Sequence, residues 1–227
     1  MLVATLTSSF NRKDKTLKSL GQLFKDTYPK NFKIKHYLVD DCSTDGTPEL
    51  VKKHFNSVKI IKTSGGLYWS RSIRQGWDFI KKDIAPDFLF VYNDDSNFYP
   101  NCINTLLQTH KNQIAIFNEP VVVVGALVDP YSLNATYGGR SRHKLKFFTL
   151  SSRLLPIKNS PQLAYTLNFN AALIPISVIE KIGFVAPYFL HGGADWEFGY
   201  NCTKNKIPII QANGAVGTCQ LNNYKGN

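Results

Sequence analysis

Short apolar blocks alternate along this chain with stretches whose apolar residues recur every three or four positions. The first block, residues 2–7 (Leu-Val-Ala-Thr-Leu-Thr), stops at Ser8-Ser9-Phe10-Asn11-Arg12 and predicts a buried strand with a polar end. Leu17, Leu20, Leu23 and Phe24 then mark one face of a helix over 14–27, closed by Tyr28-Pro29. Ile34, Tyr37, Leu38 and Val39 predict a second strand that runs into Asp40-Asp41. In Thr44-Asp45-Gly46-Thr47-Pro48 the chain turns into a helix to His54, with Thr47 as the expected N-cap and Pro48 first in the helix. A third strand follows over Val58–Lys62, and the Gly65-Gly66 loop opens a helix through about Lys82. Phe88–Tyr92 is a fourth strand, entering Asn93-Asp94-Asp95. A helix from Pro100 to about Lys111 and the strand Val121–Val128 come next.

Alternation of strands and helices predicts an α/β fold, a single Rossmann-like domain with a central, mostly parallel sheet flanked by helices. Ligands of such sheets bind beyond the carboxyl ends of the strands. The polar clusters Ser8–Asn11, Asp40-Asp41 and Asp94-Asp95 fall at three of those ends, so they are expected to converge on one edge. Neither the dinucleotide fingerprint GxGxxG nor the P-loop GxxxxGK[ST] occurs, which removes dinucleotide dehydrogenases and P-loop NTPases.

Composition narrows the class further. The 227 residues are 43% hydrophobic and 19% charged, enough apolar material for a sizeable core. No stretch reaches the ~18 apolar residues of a membrane span, and the N-terminus lacks the pattern of a secretory signal, so a cytoplasmic protein is expected. Cys42, Cys102, Cys202 and Cys219 are scattered without metal-ligand spacing and read as reduced thiols. Net charge is +11, which favours an anionic partner. Nucleic acid is not the expected one, since no RNP-like aromatic motif or helix-turn-helix pattern accompanies the basic residues. Six Lys and Arg fall between Arg140 and Lys158, while 130–179 holds no Asp or Glu. That span, with Arg140, Arg142, Lys144 and Lys146, is expected either to face an anionic acceptor or to be a solvated surface.

Asp94-Asp95 offers two hard oxygen ligands at the end of a rigid strand, a pair suited to Mg²⁺ or Mn²⁺ bridged to a diphosphate; the alternative is a turn cap beside a solvated acid. Asp40-Asp41 is placed to accept hydrogen bonds from a nucleobase or ribose, or to cap a helix.

With these residues in place the chain resembles the family 2 glycosyltransferases of GT-A fold. The likeness runs through Thr7–Arg12, Val39–Thr47, Gly65–Gly76, the DXD-like Tyr92–Pro100 and the ED-like Gly192–Phe198, in that order over roughly residues 1–210. It implies an inverting, metal-dependent glycosyltransferase that moves a sugar from a nucleoside-diphosphate sugar to an acceptor hydroxyl, in bacterial surface polysaccharide or glycolipid synthesis. Residues 1–100 would be the nucleotide-sugar half and 101–227 the acceptor half. By this resemblance Ser8, Phe10, Asp40, Asp41, Gly66, Trp69 and Asp94 bind the donor, Phe10 by stacking and Asp41 by accepting from the base. Asp95 would hold Mn²⁺ or Mg²⁺, Asp195 would be the general base with Glu197 in support, and Asn170 and Trp196 would meet the acceptor. Arg71 and Arg74 are expected near the diphosphate or on the helix surface. The acceptor would be a glycan or a lipid-linked sugar, with peripheral contact to an anionic membrane at its inner face.

The pattern departs from the family in three ways. Ala194 stands where the ED-type pair usually begins with an acid, Arg74 where Asn is frequent, and Ala215–Gln220 holds no His for a third metal ligand. The family also commonly carries C-terminal helices, so a minimal or truncated version is expected. An inactive GT-A domain serving as a sugar-binding scaffold is the competing reading.

Overall fold

The computed structural model describes residues 1–26, 28, 32–144, 150–190 and 192–221. The chain runs through β1 (Leu2–Ser9), α1 (Lys13–Lys25), β2 (Lys33–Asp40), α2 (Thr47–His54), β3 (Lys59–Lys62), α3 (Tyr68–Asp83) and β4 (Phe88–Tyr92). It continues with β5 (Asn97–Phe98), α4 (Cys102–Phe117), β6 (Val122–Val128), β7 (Ala135–Tyr137), β8 (Gly139–Lys144) and β9 (Leu150–Leu154). The last part holds β10 (Gln162–Ala164), β11 (Thr166–Leu167), β12 (Ala171–Pro175), α5 (Ile176–Ile182), α6 (Ala194–Lys204) and β13 (Ile209–Thr218).

The main sheet has the order β10-β13-β6-β12-β4-β1-β2-β3, and a second sheet of β11-β8-β9 lies beside it. The run β3-β2-β1-β4 is parallel, as the alternation of strand and helix requires. β12 inserts antiparallel between β4 and β6. β4 is buried on both faces, so its residues alternate between two cores. Leu89 and Val91 pack with Leu6, Val39, Ile73 and Ile80, whereas Phe88, Phe90 and Tyr92 pack with Ile103, Leu106 and Leu107. Each fully buried side chain of this size contributes about 1.5–3 kcal/mol.

Two local expectations are corrected. Thr47 does not cap α2 from outside; it is the first helical residue, behind a left-handed Gly46 at φ 84°. The carboxylate of Asp45 holds the Thr47 N–H at 3.0 Å, accepts the Thr47 hydroxyl, and binds the N–H of Lys13 at 3.0 Å. A charged acceptor outcompetes the Thr hydroxyl for the free N–H groups of both helix starts. The first helix ends at Lys25 rather than at 27, and residues 27 and Pro29 lie outside the described residues.

Parallel pairing of β1 with β2 and β4 brings the segments after them to one edge. β13 then doubles back over that edge. Its antiparallel pairing with β5 sets Gly217 opposite Phe98 and Thr218 opposite Asn97, immediately after the acidic pair. A side chain at Gly217 would meet the backbone oxygen of Asn97 at 2.2 Å, so this approach requires glycine. All four cysteines are free; Cys42 is exposed and the other three are buried.

Candidate active site

A cleft of 1010 Å³ opens at the carboxyl ends of β1 and β2, between them and the start of α6. Its first wall is stitched from two loops. Asn11, with φ 52°, accepts the Thr44 N–H at 2.7 Å, and the Asn11 N–H donates to Ser43 Oγ at 3.0 Å. Ser8, Phe10, Gly66 and Trp69 line the cleft, as does Asp41. Phe10 is 57% exposed, an apolar ring presented to solvent at the rim. Gly66, at φ 77°, leaves open space before α3.

Asp41 holds the loop before α3, and Asp40 is not brought to the cleft. Asp41 accepts from the Thr63 hydroxyl at 2.6 Å and from the Leu67 and Tyr68 N–H groups at 3.0 and 3.2 Å, which fastens the start of α3 to β2. With a further contact from the Leu67 N–H to its other oxygen at 3.3 Å, both carboxylate oxygens are engaged. Asp40 accepts the Ser43 N–H at 3.3 Å, is 2% exposed and does not line the cleft.

The acidic pair is arranged around a single cation, the side chain of Arg12. Arg12 Nη1 lies 3.1 Å from Asp94 Oδ1 and 3.1 Å from Asp95 Oδ2. Asp94 faces the main cleft, whereas Asp95 lines an adjoining hollow with Lys15, Lys18 and Asn97; Arg12 borders both. Asp94 is buried, and desolvation raises its carboxyl to about 6 against the pull of Arg12. Cys219 Sγ donates to Asp95 Oδ1 at 3.5 Å, and burial pushes that thiol up to about 12, so it is neutral. Two carboxylate oxygens converging on one positive nitrogen fit a small hard divalent cation whose other positions are filled by water and phosphate oxygens. Among the described residues no group of three or more His, Cys, Asp or Glu is placed to hold a metal.

The opposite wall is α6. Gly193 precedes it in the left-handed region at φ 94°, and Asp195 follows at the start of the helix. Asp195 accepts from Asn168 Nδ2 at 3.0 Å and from the Trp196 N–H at 2.9 Å. Desolvation nevertheless raises its carboxyl above the ordinary range. Trp196 lies under Arg140, whose guanidinium carbon is 4.7 Å from the indole centre. Asn170 lines the cleft, buried, with its amide 3.9 Å from Cys219 Sγ.

Glu197 is not brought to this cleft. It accepts from Asn201 and, at 3.5 Å, from Tyr188, and it borders a separate 730 Å³ hollow with Arg74. Residues two positions apart on an α-helix are about 200° apart around its axis, so Asp195 and Glu197 face different sides. Arg71 and Arg74 likewise do not line the main cleft. Sequence reasoning missed the contacts of Arg12 with the acidic pair, of Asn168 with Asp195 and of Arg140 with Trp196. Arg12 was readable as the basic residue closing a strand end opposite two acids and Arg140 stood in the acid-free basic span, whereas nothing local pairs Asn168 with Asp195.

The model of glycosyl transferase family 2 matches residues 6–175. No curated protein matches the chain. Solved structures match over nearly its whole length. Residues 1–349 of TarS from S. aureus superpose with a TM-score of 0.67 at 15% identity, covering 97% of this chain and 60% of that one. The mannosyltransferase PcManGT from Pyrobaculum calidifontis, in complex with GDP-Man and Mn²⁺, gives 0.63 at 13% identity, covering 99% and 58%. GalNAc-T7, with UDP, GalNAc and Mn²⁺, gives 0.73 at 12% identity, covering 100% and 45%. The chain thus spans about 60% or less of the length of these structures. The central sheet flanked by helices is the GT-A arrangement, and the match over residues 6–175 shows that the chain belongs to glycosyl transferase family 2.

Proposed function

We propose that the chain is an inverting glycosyltransferase that moves a sugar from a nucleoside-diphosphate sugar to an acceptor hydroxyl. One observation carries this reading: a single cleft is lined by Asp94 on one wall and Asp195 on the other. The acceptor hydroxyl loses its proton to Asp195 as its oxygen attacks the anomeric carbon, and the bond to the diphosphate breaks on the opposite face. Displacement in one step inverts the anomeric centre. The raised carboxyl of Asp195 suits a base that must also release its proton.

Phe10 stacks on the nucleobase, Ser8, Gly66 and Trp69 complete that wall, and Asp41 acts by fixing the loop before α3. Asp95, with Asp94, would hold Mn²⁺ or Mg²⁺, which would offset the charge developing on the leaving diphosphate. Arg12 contacts both carboxylates and offsets part of their charge. The neighbours solved with Mn²⁺ beside UDP or GDP-Man support this assignment. Asn170 and Trp196 meet the acceptor, so residues 1–100 serve the donor and 101–227 the acceptor. Among the described residues no helix is long and apolar enough to cross a membrane. A glycan or lipid-linked acceptor reached from a peripheral position on an anionic leaflet fits the +11 charge, in surface polysaccharide or glycolipid synthesis.

The test is thermal melting against UDP, GDP, dTDP, CDP and CMP, each with and without Mn²⁺. A ligand held only by the native state adds about 2.7 kcal/mol at a hundredfold excess over its Kd. The expected result is a Mn²⁺-dependent rise with one diphosphate and none with CMP. Flat curves throughout overturn the proposal.

A further inference from the structure

Arg140 is the one cleft residue whose charge is left without an acidic contact among the described residues, and its guanidinium is held rigidly. Nε donates to Ser152 Oγ and Nη2 to the Ser152 carbonyl, both at 2.9 Å, which anchors one edge of the fork to β9. The indole of Trp196 covers one face. The remaining edge, Nη1 and the second Nη2 proton, has no acceptor among the described residues. The ion pairs of the described residues involve Arg12, Lys59, Lys62 and Lys81. Arg140 takes part in none.

The strands around it carry no acid. β8 and β9, which carry it and its anchor, belong to the span 130–179 that lacks Asp and Glu. The acid whose field reaches it is Asp195, which makes no ion pair with it and whose hydrogen bonds go to Asn168 and the Trp196 N–H. A guanidinium stays charged in any protein environment, and a half-buried one without a carboxylate is costly until an anion arrives. An arginine fork with one edge tied down and the other free is built for two-point contact with phosphate or carboxylate. The cleft already has a separate cation, Arg12, at the Asp94-Asp95 end. Arg140 stands at the Asp195 end, where the attacking hydroxyl must lie.

We infer that Arg140 recognises an anionic group, a phosphate or a carboxylate, carried by the acceptor close to the hydroxyl that is glycosylated. This rests on the glycosyltransferase reading for the word acceptor, and narrows the basic span to one side chain. Lys146 lies outside the described residues, as does the side chain of Lys144, and Arg142 is engaged over Tyr165 at 5.5 Å.

The experiment titrates the full chain, and its R140Q and R140K variants, with sn-glycerol 3-phosphate and methyl glucuronide, using glycerol and methyl glucoside as neutral counterparts. Binding is read by calorimetry, and each variant is first checked for an unchanged melting curve; R140K keeps the charge where R140Q does not fold. The expected result is that at least one anionic probe binds the parent chain, and that R140Q weakens it by about tenfold or more, as loss of a charge-assisted contact requires. R140K is expected to fall between, and the neutral probes to be unaffected. Preference for the phosphate or the carboxylate names the source of the anion. Absence of anionic binding at tens of millimolar, equal binding of neutral probes, or insensitivity to both substitutions overturns the inference. So does loss of the nucleoside-diphosphate melting shift in R140Q, which would move Arg140 to the donor. A flat nucleotide panel beside intact, Arg140-dependent anion binding would sink the proposed activity while leaving the anion site standing.

Discussion

Asp94 is the residue at which stability and function pull hardest against each other. Its carboxyl sits at about 6 in the folded chain against an ordinary 3.8, chiefly through desolvation, even with Arg12 bound to it. That difference makes the ionised form about 3 kcal/mol dearer in the folded state than in the unfolded one. The sign follows from proton counting. Between 3.8 and about 6 the folded chain holds a proton that the unfolded chain has released, so stability falls as pH rises through that window and is level above it. Asp94→Asn keeps the shape and removes the charge. The variant should therefore be more stable than the parent by about 1 kcal/mol near pH 4.5 and by up to about 3 kcal/mol near pH 7.5. For a chain of this length each kcal/mol moves Tm by about 2–4 °C, so the gap near neutrality is roughly 6–12 °C at most. Differential scanning fluorimetry at the two pH values reads it directly, and the same samples should lose any Mn²⁺-dependent response to nucleotide. A variant no more stable than the parent near pH 7.5, or a gap equal at both pH values, would refute the argument that burial of an ionised Asp94 is a cost held for the ligand.

Asp195→Asn should slow sugar transfer by about 10²–10⁴-fold while leaving nucleotide-induced stabilisation intact, and the parent rate should climb with pH as Asp195 ionises; Glu197→Gln, pointing into the other hollow, should leave the rate unchanged. Equal losses in both variants, measured as initial rates, would contradict the placement of Glu197. Phe10→Ala should weaken nucleoside-diphosphate binding by about 1–3 kcal/mol in calorimetry if the ring stacks on a base, with no change in Tm, because the side chain is exposed. Gly217→Ala should destabilise by about 1–3 kcal/mol or more in urea unfolding, since the added methyl meets backbone rather than a side chain that can turn aside.

Residues whose position follows from their own strand were legible before the fold was known. The apolar run Phe88–Tyr92 predicts a strand, and parallel neighbours then carry Ser8, Asp41 and Asp94 to a common edge. Asp195 was reached differently, through resemblance, because nothing periodic marks the start of α6. Glu197 was open to correction from the sequence itself: if 194–204 is a helix, residues two apart cannot face the same cleft. Asp41 shows a subtler limit. An acid at a strand end is equally suited to accept from a ligand or from a loop's N–H groups, and which it does depends on where Leu67 and Tyr68 come to lie.

Cys219 and the inward turn of Arg140 mark what no local pattern encodes. Cys219 is far along the chain from Asp95 and meets it because β13 pairs with β5, a crossing permitted by the missing side chain of Gly217. Arg140 reaches the cleft on the small sheet of β8, β9 and β11, built from short strands that no alternation announces. The sequence did show charge without countercharge over 130–179, and the fold converts that compositional fact into geometry by turning one arginine inward and pinning it against Ser152 and Trp196. The two ends of the cleft consequently differ in kind. At Asp94-Asp95 the protein's own arginine lies against both acids. At Asp195, Arg140 has no ion pair among the described residues, and on the inference above this is the end of the cleft at which charge on an incoming acceptor is read.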